Sequence, residues 1–504
     1  MSQGQPNPVN PVRQIDRVHF LDEQRRNRRR SHRFTIFALT AVAVSGIPLC
    51  AIVAPLLIGA MIVLMNLADL VIDIPASAWD QLHDVVFALP NLWAAVRGKP
   101  VEMAWKSIAF VYVIPGAVLM LVTWPFILVL ARQAGAGVIL RHLPSRAIDV
   151  SNPLERQLSN VVEEMAIAAG VQPPPVRIID SPAVNAVAVG LRSNDAIVLA
   201  TEGFLEKLDR DERQAIVAHL VGSVGNGDLE IAATILSVFA TWGLIALILG
   251  APFSARRRTA IRRFVLLAVV TLRGRTEPDE SREVLDHLLS GSSWDMTMID
   301  DIYEIQPRSV RHALGIMFIQ LPLIAVLGLA SITARMSSAL YTAIGLGPWL
   351  AAMWRARRRL ADASAVQLTR NPTALAHAVK AFDQNVVDVD GGWIAYFLFP
   401  VWVPVTAQNA NRPEAASNVI GMRLEAAPRI EDIVALGAML DSAVHRPDLR
   451  TRLARLGTWK DLRTAVGWGA VAISFSVVLI AATLAAASVI LIVIWKVLGW
   501  LTPD

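Results

Sequence analysis

The sequence predicts a mainly α-helical integral membrane protein that carries a soluble α+β domain. Of the 504 residues, 54% are hydrophobic, and the mean hydropathy is +0.47, which is high for a soluble globular protein. Several apolar runs are as long as the ~20 residues that cross a bilayer as a helix. Between these runs, residues 176–228 combine short apolar stretches and turn residues with a longer helical pattern. That combination is typical of a small sheet packed on a helix.

Composition also limits the function. The net charge is +5, and the arginines are clustered beside apolar runs, which favours contact with the lipid bilayer over nucleic acid. Charged residues are almost absent inside the candidate spans, which argues against a channel or a transporter. The single cysteine, Cys50, excludes an intramolecular disulfide.

The chain begins with a polar tail and two membrane segments. Residues 1–33 end in a run of arginines directly before an apolar segment. We expect a basic, disordered cytoplasmic tail, with a nucleic-acid-binding arm as the alternative. Residues 34–131 hold two membrane segments, Phe34–Leu67 and Ile108–Leu130, around an acidic external loop. The arginines after the second segment place the next domain on the cytoplasmic side, together with the N-terminus.

Residues 132–230 are expected to form the first half of the soluble domain. The sequence predicts a helix at Pro153–Ala169 and strands at Val176–Asp180 and Ala196–Ala200, which are apolar runs bounded by turn residues. Asp209 stands at an N-cap position with Glu212 three residues later, so a capping box is predicted to start the next helix.

This frame resembles the zinc-site half of the HtpX-type integral membrane metallopeptidases. The stretch Asn185-Ala186-Val187-Ala188-Val189-Gly190 stands where that family has a strand beside its substrate. The stretch Ala218-His219-Leu220-Val221-Gly222-Ser223, followed by Asn226-Gly227-Asp228, stands where the family has Ala-His-Glu-x-x-His and Asn-Gly-Asp. The resemblance implies a cytoplasmic metallopeptidase-like domain in a multi-pass protein of the bacterial inner membrane.

The residues that carry the family's chemistry are largely replaced. In H-E-x-x-H the histidines hold zinc from one helical face, and the glutamate takes a proton from the metal-bound water. Here His219 remains, whereas Leu220 replaces the base and Ser223 replaces the second histidine. Aligning Ala361-Asp362 with the family's Glu-x-x-Ala-Asp helix puts Arg358 at the third ligand, and a guanidinium has no lone pair for a metal. We therefore expect no catalytic residue, no metal site and no bound zinc.

Two further expectations concern this region. Asp228 and Asp362 are interpreted as relics of the old cleft, and we hypothesise that both form ion pairs with Arg358, which has i,i+4 spacing to Asp362. Residues Asn185 to Gly190 are interpreted as an exposed edge strand that binds a partner by β-augmentation. The alternative is that the protein's own insertion covers this strand.

Residues 231–354 are predicted to return to the membrane, with a polar insertion at about residues 254–311. The insertion is interpreted either as a solvated loop or as a partner-docking element. An even number of crossings must separate His219 from Arg358 if both lie in one cytoplasmic domain, so one of three candidate spans does not cross. The candidates are Ile231–Leu249, Ala313–Thr333 and Ala339–Trp354.

The second half of the soluble domain is expected at residues 355–460, and a final membrane span is expected within residues 461–504. Asn371–Phe382 is predicted to be a helix. Arg429-Ile430 begins a segment similar to the family helix that follows a His-Pro, and Arg423-Leu424 stand at the position of that His-Pro.

The favoured function is that of a catalytically inactive, HtpX-like membrane pseudoprotease. It would act as a protein-binding scaffold, an adaptor in membrane quality control or an accessory subunit, with a membrane protein as its partner and no nucleic acid. The alternative is an active zinc metalloendopeptidase with a rearranged metal site that uses His219, Asp228 and, as a third ligand, His377 or Glu230.

Overall fold

The computed structural model describes residues 71–84, 114–141, 143–251, 255–275, 278–290, 347–384 and 426–439, with a few single positions before residue 70. Most of the tail and first span, the end of the insertion, Ala313–Thr333, Arg423-Leu424 and the C-terminal span lie outside the described residues. The chain divides into two compact units. The first comprises residues 1–35, 139–230 and 351–448, and the second comprises residues 36–138, 231–350 and 449–504.

The described helices with assigned bounds alternate with four short strands. The helices are α1 (Ile114–Ala134), α2 (Gly137–Leu140), α3 (Pro153–Ala169), α4 (Glu202–Lys207), α5 (Arg210–Gly225), α6 (Asp228–Gly250), α7 (Ala255–Leu272), α8 (Pro278–Ser290), α9 (Gly347–Thr369), α10 (Pro372–Gln384) and α11 (Ala426–Ala435). The strands are β1 (Arg146–Ala147), β2 (Val176–Ile179), β3 (Ala186–Val189) and β4 (Ile197–Thr201).

The first unit is built on one sheet with the strand order β1-β2-β4-β3. β2 and β4 run parallel, with Val176 opposite Val198, and the other two pairings are antiparallel. Within the described residues, β3 is therefore an end strand of the sheet. The strand predictions at 176–180 and 196–200 are confirmed to within one residue at each end.

Capping side chains fix the two helices that pack together in this unit. Asn152 accepts a hydrogen bond from the N–H of Leu154 at the start of α3, and Gly170 ends that helix with a left-handed φ of 68°. The predicted capping box of α5 is present, because Asp209 accepts from the Glu212 N–H at 2.7 Å and Glu212 accepts from the Asp209 N–H at 3.0 Å.

The core of the first unit lies between the sheet and α3, α5 and α10. Its fully buried side chains include Ile178 on the sheet, Phe204 on α4, Ile216 on α5 and Leu375 on α10. α11 packs on α10 and adds Ile433 to the same core. This packing holds α5 and the helix that carries Asp362 against each other, which sets the geometry of the candidate site.

The second unit packs α1, α6, α7 and α8 together. The indole N–H of Trp124 on α1 donates to Ser237 Oγ on α6 at 2.9 Å, and Phe126 meets Phe264 of α7 edge-on with ring centroids 5.5 Å apart. α6 and α8 approach closely at Gly243, since a Cβ there would lie 1.7 Å from the carbonyl oxygen of Leu288. Small residues permit such close contact between helix backbones.

One described helix meets the length and composition that a membrane span requires. Within the described part of the chain, α6 over Asp228–Ile245 is long and apolar enough to cross a bilayer, and 81% of that stretch is buried in the structure. α1 contains a shorter apolar stretch, Val122–Ala134.

The structure contradicts one of the two interpretations of the insertion, that of a solvated loop. Residues 255–272 and 278–290 form α7 and α8, and α8 buries Val284, Leu285 and Leu288. The solvated-loop interpretation is wrong for these residues, because the apolar side chains of α8 recur at helical spacing and pack into a core.

Candidate functional site

α5 carries His219 and Ser223 at i and i+4, so both side chains project from one face of this buried helix. α9 crosses that face. At the crossing, a Cβ on Gly222 would lie 2.8 Å from the Cβ of Ser364, so only glycine permits this separation of the two helices. The close approach brings Asp362 of α9 to His219 of α5.

His219, Asp362 and Arg429 form a buried cluster at this crossing. Nδ1 of His219 lies 2.8 Å from Oδ1 of Asp362, and the exposed fractions of the two residues are 0% and 3%. Arg429 of α11 donates from Nη2 to Oδ1 at 2.6 Å and from Nε to Oδ2 at 2.8 Å. The carboxylate of Asp362 is thus held by a bidentate arginine and by the imidazole.

The charge states of this cluster follow from its burial. Burial alone would raise the pKa of Asp362, but the adjacent Arg429 guanidinium holds that pKa below its usual range, so Asp362 is ionised. Burial lowers the pKa of His219, against the opposing effect of Asp362, so the imidazole is neutral at neutral pH. An ionised carboxylate only accepts hydrogen bonds, so Nδ1 of His219 carries the proton. Nε2 is then a bare acceptor, and among the described residues it has no hydrogen-bond partner.

A second buried ion pair lies at the end of the same helix. Asp228 accepts a hydrogen bond from Ser223 Oγ at 2.5 Å, and its other oxygen accepts from Nε of Arg357. Arg357 also donates to the backbone oxygen of Asn226, which ties α9 to the turn between α5 and α6. Both Asp228 and Arg357 are buried.

The hypothesis that Arg358 pairs with both carboxylates needs correction. The guanidiniums in direct contact are that of Arg357 for Asp228 and that of Arg429 for Asp362. Arg358 is buried nearby, where burial and repulsion by Arg429 lower its pKa to about 9 and both carboxylates oppose the shift. The guanidinium is therefore still charged at neutral pH.

Arg357 was not predicted as a site residue from the sequence. Arg429 was noted only as the start of a segment similar to a family helix. Residues 355 and 357–359 are all arginine, and the chain alone does not show which of them face the cleft. The orientation of α9 about its axis determines which arginines face the cleft. Arg357 and Arg358 are buried, whereas Arg359 is partly exposed and pairs with Asp432. The interpretation of Asp228 as a residue of the old cleft was the available signal that a cation would be needed opposite it.

The zinc that the family resemblance implies does not fit these residues. Nε2 of His219 has the lone pair of a ligand, but the Ser223 hydroxyl donates to Asp228, and Arg358 brings a positive charge to the position of the third ligand. Leu220, at the position of the base, is fully buried and apolar. Within the described residues, no group of three His, Cys, Asp or Glu side chains is arranged to hold a metal ion.

The alternative ligands are engaged or placed elsewhere. Asp228 is occupied by Ser223 and Arg357, and Glu230 Oε1 accepts from both the N–H and the hydroxyl of Ser193. His377 is exposed on α10, whereas His219 is fully buried. These residues do not form one cluster with His219.

The strand interpreted as a partner-binding edge lies at the end of the described sheet. Ala186–Val189 form β3, with Asn185 and Gly190 flanking them, and all four strand residues are at most 3% exposed. These exposed fractions count backbone as well as side-chain atoms, so both the faces and the outer edge of the strand are covered in the structure. The backbone of Asn185 bonds to Thr201, so by antiparallel alternation the N–H groups at 186 and 188 point away from β4. The N–H of Ala186 is already bonded to the Asn185 side chain.

Comparisons with known proteins agree with this frame over part of the chain. Residues 153–277 match the family model described as Peptidase family M48. This match contains His219 and Ser223 and ends before Asp362 and Arg429.

Three relatives illustrate the extent of the similarity. A protein named Protease HtpX homolog from Nitrosomonas europaea is 45% identical over 96 residues, which are 19% of this chain and 33% of that protein. Protease HtpX from Xanthomonas euvesicatoria pv. vesicatoria is 35% identical over 114 residues, 23% of this chain and 36% of that protein. A Protease HtpX homolog from Tropheryma whipplei is 35% identical over 128 residues, 24% and 44% of the two chains.

The chain covers about a third of the length of the first of these relatives. No solved structure matches. The matches support a relationship to the HtpX-type metallopeptidases over the segment that they cover.

Proposed function

We propose that this chain is a catalytically inactive, HtpX-like membrane pseudoprotease that binds proteins without cutting them. In this proposal it lies in the bacterial inner membrane as a multi-pass protein, with its N-terminus and its peptidase-like domain in the cytoplasm. It serves as a scaffold, adaptor or accessory subunit for a membrane-protein partner, and it uses neither zinc nor nucleic acid.

One observation carries the loss of catalysis. The cleft that would hold a dication instead holds the buried cations Arg357, Arg358 and Arg429, of which two are directly paired with Asp228 and Asp362. Zinc binding would add two positive charges to a site where three buried guanidiniums already exceed two carboxylates, which is strongly unfavourable in a buried environment. Leu220 stands at the position of the general base, and its side chain cannot deprotonate a metal-bound water.

The proposed binding role rests on the outer edge of β3. A peptide that adds to a strand edge gains backbone hydrogen bonds, and the N–H of Ala188 points to this edge, which has to be uncovered before a peptide can bind. Because the side chains of β3 are buried, binding would rest on the backbone more than on side-chain pockets.

The first test is the zinc content of the full chain purified in detergent, measured by elemental analysis beside His219→Ala. We expect zinc far below one ion per chain and no change in the variant. The triple variant Leu220→Glu/Ser223→His/Arg358→Glu, which restores the family's ligands and base, should hold more zinc than the natural chain. About one zinc per chain that is lost in His219→Ala would overturn the proposal and favour the rearranged metallopeptidase.

The binding role has its own test. A photo-crosslinking amino acid is placed at Arg192, which is exposed directly after β3, or at Glu163, which is exposed on α3. We expect an intact protein partner to be captured from membranes at position 192 and not at 163. Capture of shortened partner fragments, or equal capture at both positions, would contradict the role.

A further inference from the structure

α7 has one face packed in the second unit and one face turned outward. Phe264 of α7 contacts Phe126 of α1, and Ala260 and Leu267 are buried on the same side. The outward stripe carries Val265, Leu266, Val269 and Leu272, which are 52%, 54%, 41% and 82% exposed. Four neighbouring large apolar side chains at this exposure are more than the scattered apolar residues of an ordinary protein surface.

The N-terminal end of the same stripe carries positively charged side chains. Arg258 and Arg262 precede Val265 and Val269 at spacings of three, four and seven residues, so they lie on one side of the helix. α7 contains five arginines in its first nine residues and no acidic residue. Arg273 and Arg275, both exposed, follow the apolar row at its other end.

Two of these guanidiniums have no counter-ion in the described part of the chain. Arg263 pairs with Glu283 of α8, and Arg258 donates to the carbonyl oxygen of Ala251. Arg256 and Arg262 are exposed and form no ion pair with any described residue.

A cavity opens on the side of α7 that is turned toward α8. It lies between α7 and α8, has a volume of about 310 Å³, and is lined in part by Arg256, Thr259, Arg263, Glu283 and His287. At ~30 Å³ per water molecule it has room for about ten waters, enough for a phosphodiester group. Two guanidiniums against one carboxylate leave the lining positive, which suits an anion.

We propose that α7 lies in the membrane interface and binds an anionic phospholipid there. The phosphodiester occupies the α7–α8 cavity beside Arg256 and Arg263, with Arg262 at the level of the neighbouring headgroups. The apolar row from Val265 to Leu272 rests against the acyl chains, and the arginines at each end reach the phosphates. The two described helices of the insertion then form a membrane-binding element.

The apolar row distinguishes this occupant from other polyanions. A sugar-phosphate backbone would pair with the arginines but would leave Val265, Leu266, Val269 and Leu272 in water. A bilayer surface satisfies both parts of the stripe, since the exposed apolar side chains are removed from water when they contact the acyl chains. This inference rests on the membrane location proposed above and is independent of whether the cleft cuts proteins.

The test is a lipid titration of the full chain in detergent, with bound lipid counted by native mass spectrometry. We expect phosphatidylglycerol to bind at least about fivefold more tightly than phosphatidylcholine, since an arginine near an anionic surface contributes about 1 kcal/mol. Arg256→Gln/Arg262→Gln should abolish this preference, and Arg256→Lys/Arg262→Lys should keep most of it. The Gln pair leaves the Arg263–Glu283 ion pair in place.

The matched control is Arg156→Gln/Arg210→Gln, which removes two exposed arginines from α3 and α5. It should bind both lipids as the natural chain does. Leu266→Gln/Val269→Gln should weaken the binding of both lipids, because it removes the acyl contact and leaves the arginines.

Several outcomes would overturn the proposal. If the control pair loses the preference for phosphatidylglycerol equally, the preference comes from the overall charge of the protein and not from this site. If Arg256→Gln/Arg262→Gln keeps the full preference for phosphatidylglycerol, these arginines do not form the site. Displacement of phosphatidylglycerol by inorganic phosphate at equal concentration would identify a free-phosphate site. Binding of single-stranded nucleic acid in preference to vesicles containing 30% phosphatidylglycerol would identify a different polyanion. A thermal unfolding midpoint shared by all variants shows that folding is intact.

Discussion

Nδ1 of His219 lies 2.8 Å from Oδ1 of Asp362, and both side chains are buried. Arg429 engages both oxygens of the same carboxylate, so one acidic side chain joins α5, α9 and α11. In a metal centre of the HtpX type, an imidazole at this position would turn its lone pair to zinc. Here the nearest positive charges are guanidiniums that the chain itself supplies.

The first prediction concerns the Arg429–Asp362 ion pair. Arg429→Ala leaves a buried carboxylate without its cation, so we expect the free energy of unfolding to fall by about 3–5 kcal/mol. Arg359→Ala is the matched control, because Arg359 and Asp432 join the same two helices at partly exposed positions. The control should lose less than about 1 kcal/mol. Chemical unfolding followed by tryptophan fluorescence measures both, and equal losses would contradict the prediction.

The second prediction separates two adjacent arginines. Arg357→Met removes the direct partner of Asp228 and should lower the free energy of unfolding by about 3–5 kcal/mol. Arg358→Met removes a charge whose burial outweighs the attraction of the two carboxylates. We expect that variant to lose clearly less stability than Arg357→Met. A large loss of stability in Arg358→Met would show that its charge is needed in the cleft.

The third prediction is a pH dependence. The folded pKa of His219 is lowered by burial, so below the unfolded value of ~6.5 the unfolded chain takes up a proton that the folded chain does not. Stability should therefore fall as the pH drops from 7 to 5, with a slope of up to about 1.4 kcal/mol per pH unit from this residue. His219→Asn keeps a donor toward Asp362 and does not titrate, so its unfolding free energy should change less over the same range.

A second decline belongs to Asp362. Its folded pKa is depressed by Arg429, so its stabilising contribution is complete above the unfolded value of ~3.9 and is lost as the pH falls toward the lower folded value. The decline should begin below pH 4 in the natural chain and in His219→Asn alike. A pH-independent stability between pH 7 and pH 3 would contradict both assignments.

The fourth prediction uses two glycines on α5. Alanine favours a helix over glycine by up to about 1 kcal/mol, so Gly225→Ala should be neutral or slightly stabilising, since its nearest neighbour, a methyl of Val171, is 3.4 Å from the new Cβ. Gly222→Ala meets Ser364 at 2.8 Å and should lose about 1–3 kcal/mol as α5 and α9 move apart. Thermal unfolding of the two variants compares them directly. A stabilised Gly222→Ala would show that the two helices can separate without loss.

Local signals in the sequence were sufficient for much of the first unit. Pro153, Asn152 and Gly170 mark both ends of α3, and the Asp209–Glu212 capping box marks the start of α5. These signals act within a few residues, so they are visible before the chain is folded. The i,i+4 spacing of His219 and Ser223 is equally local, and it places both side chains on one face of α5.

The ion pairs could not be predicted in the same way. Arg357 and Arg429 are 129 and 67 residues from their partners along the chain, and their roles depend on the phase of two helices that meet only in the folded unit. The sequence of α8, in contrast, carries a local helix signal. Pro278 at its start, Asp279 and Glu280 in its first turn and the apolar spacing from Val284 to Leu288 are typical of an amphipathic helix.

The Arg429–Asp362 ion pair also joins two positions that are far apart along the chain. It closes a loop of 67 residues onto one buried point, so the ends of that loop are fixed independently of what lies between them. The entropy of closing a loop grows only slowly with its length, and doubling the length costs about 0.6 kcal/mol. Related chains could therefore lengthen or shorten this segment considerably and still present the same cluster at the crossing of α5 and α9.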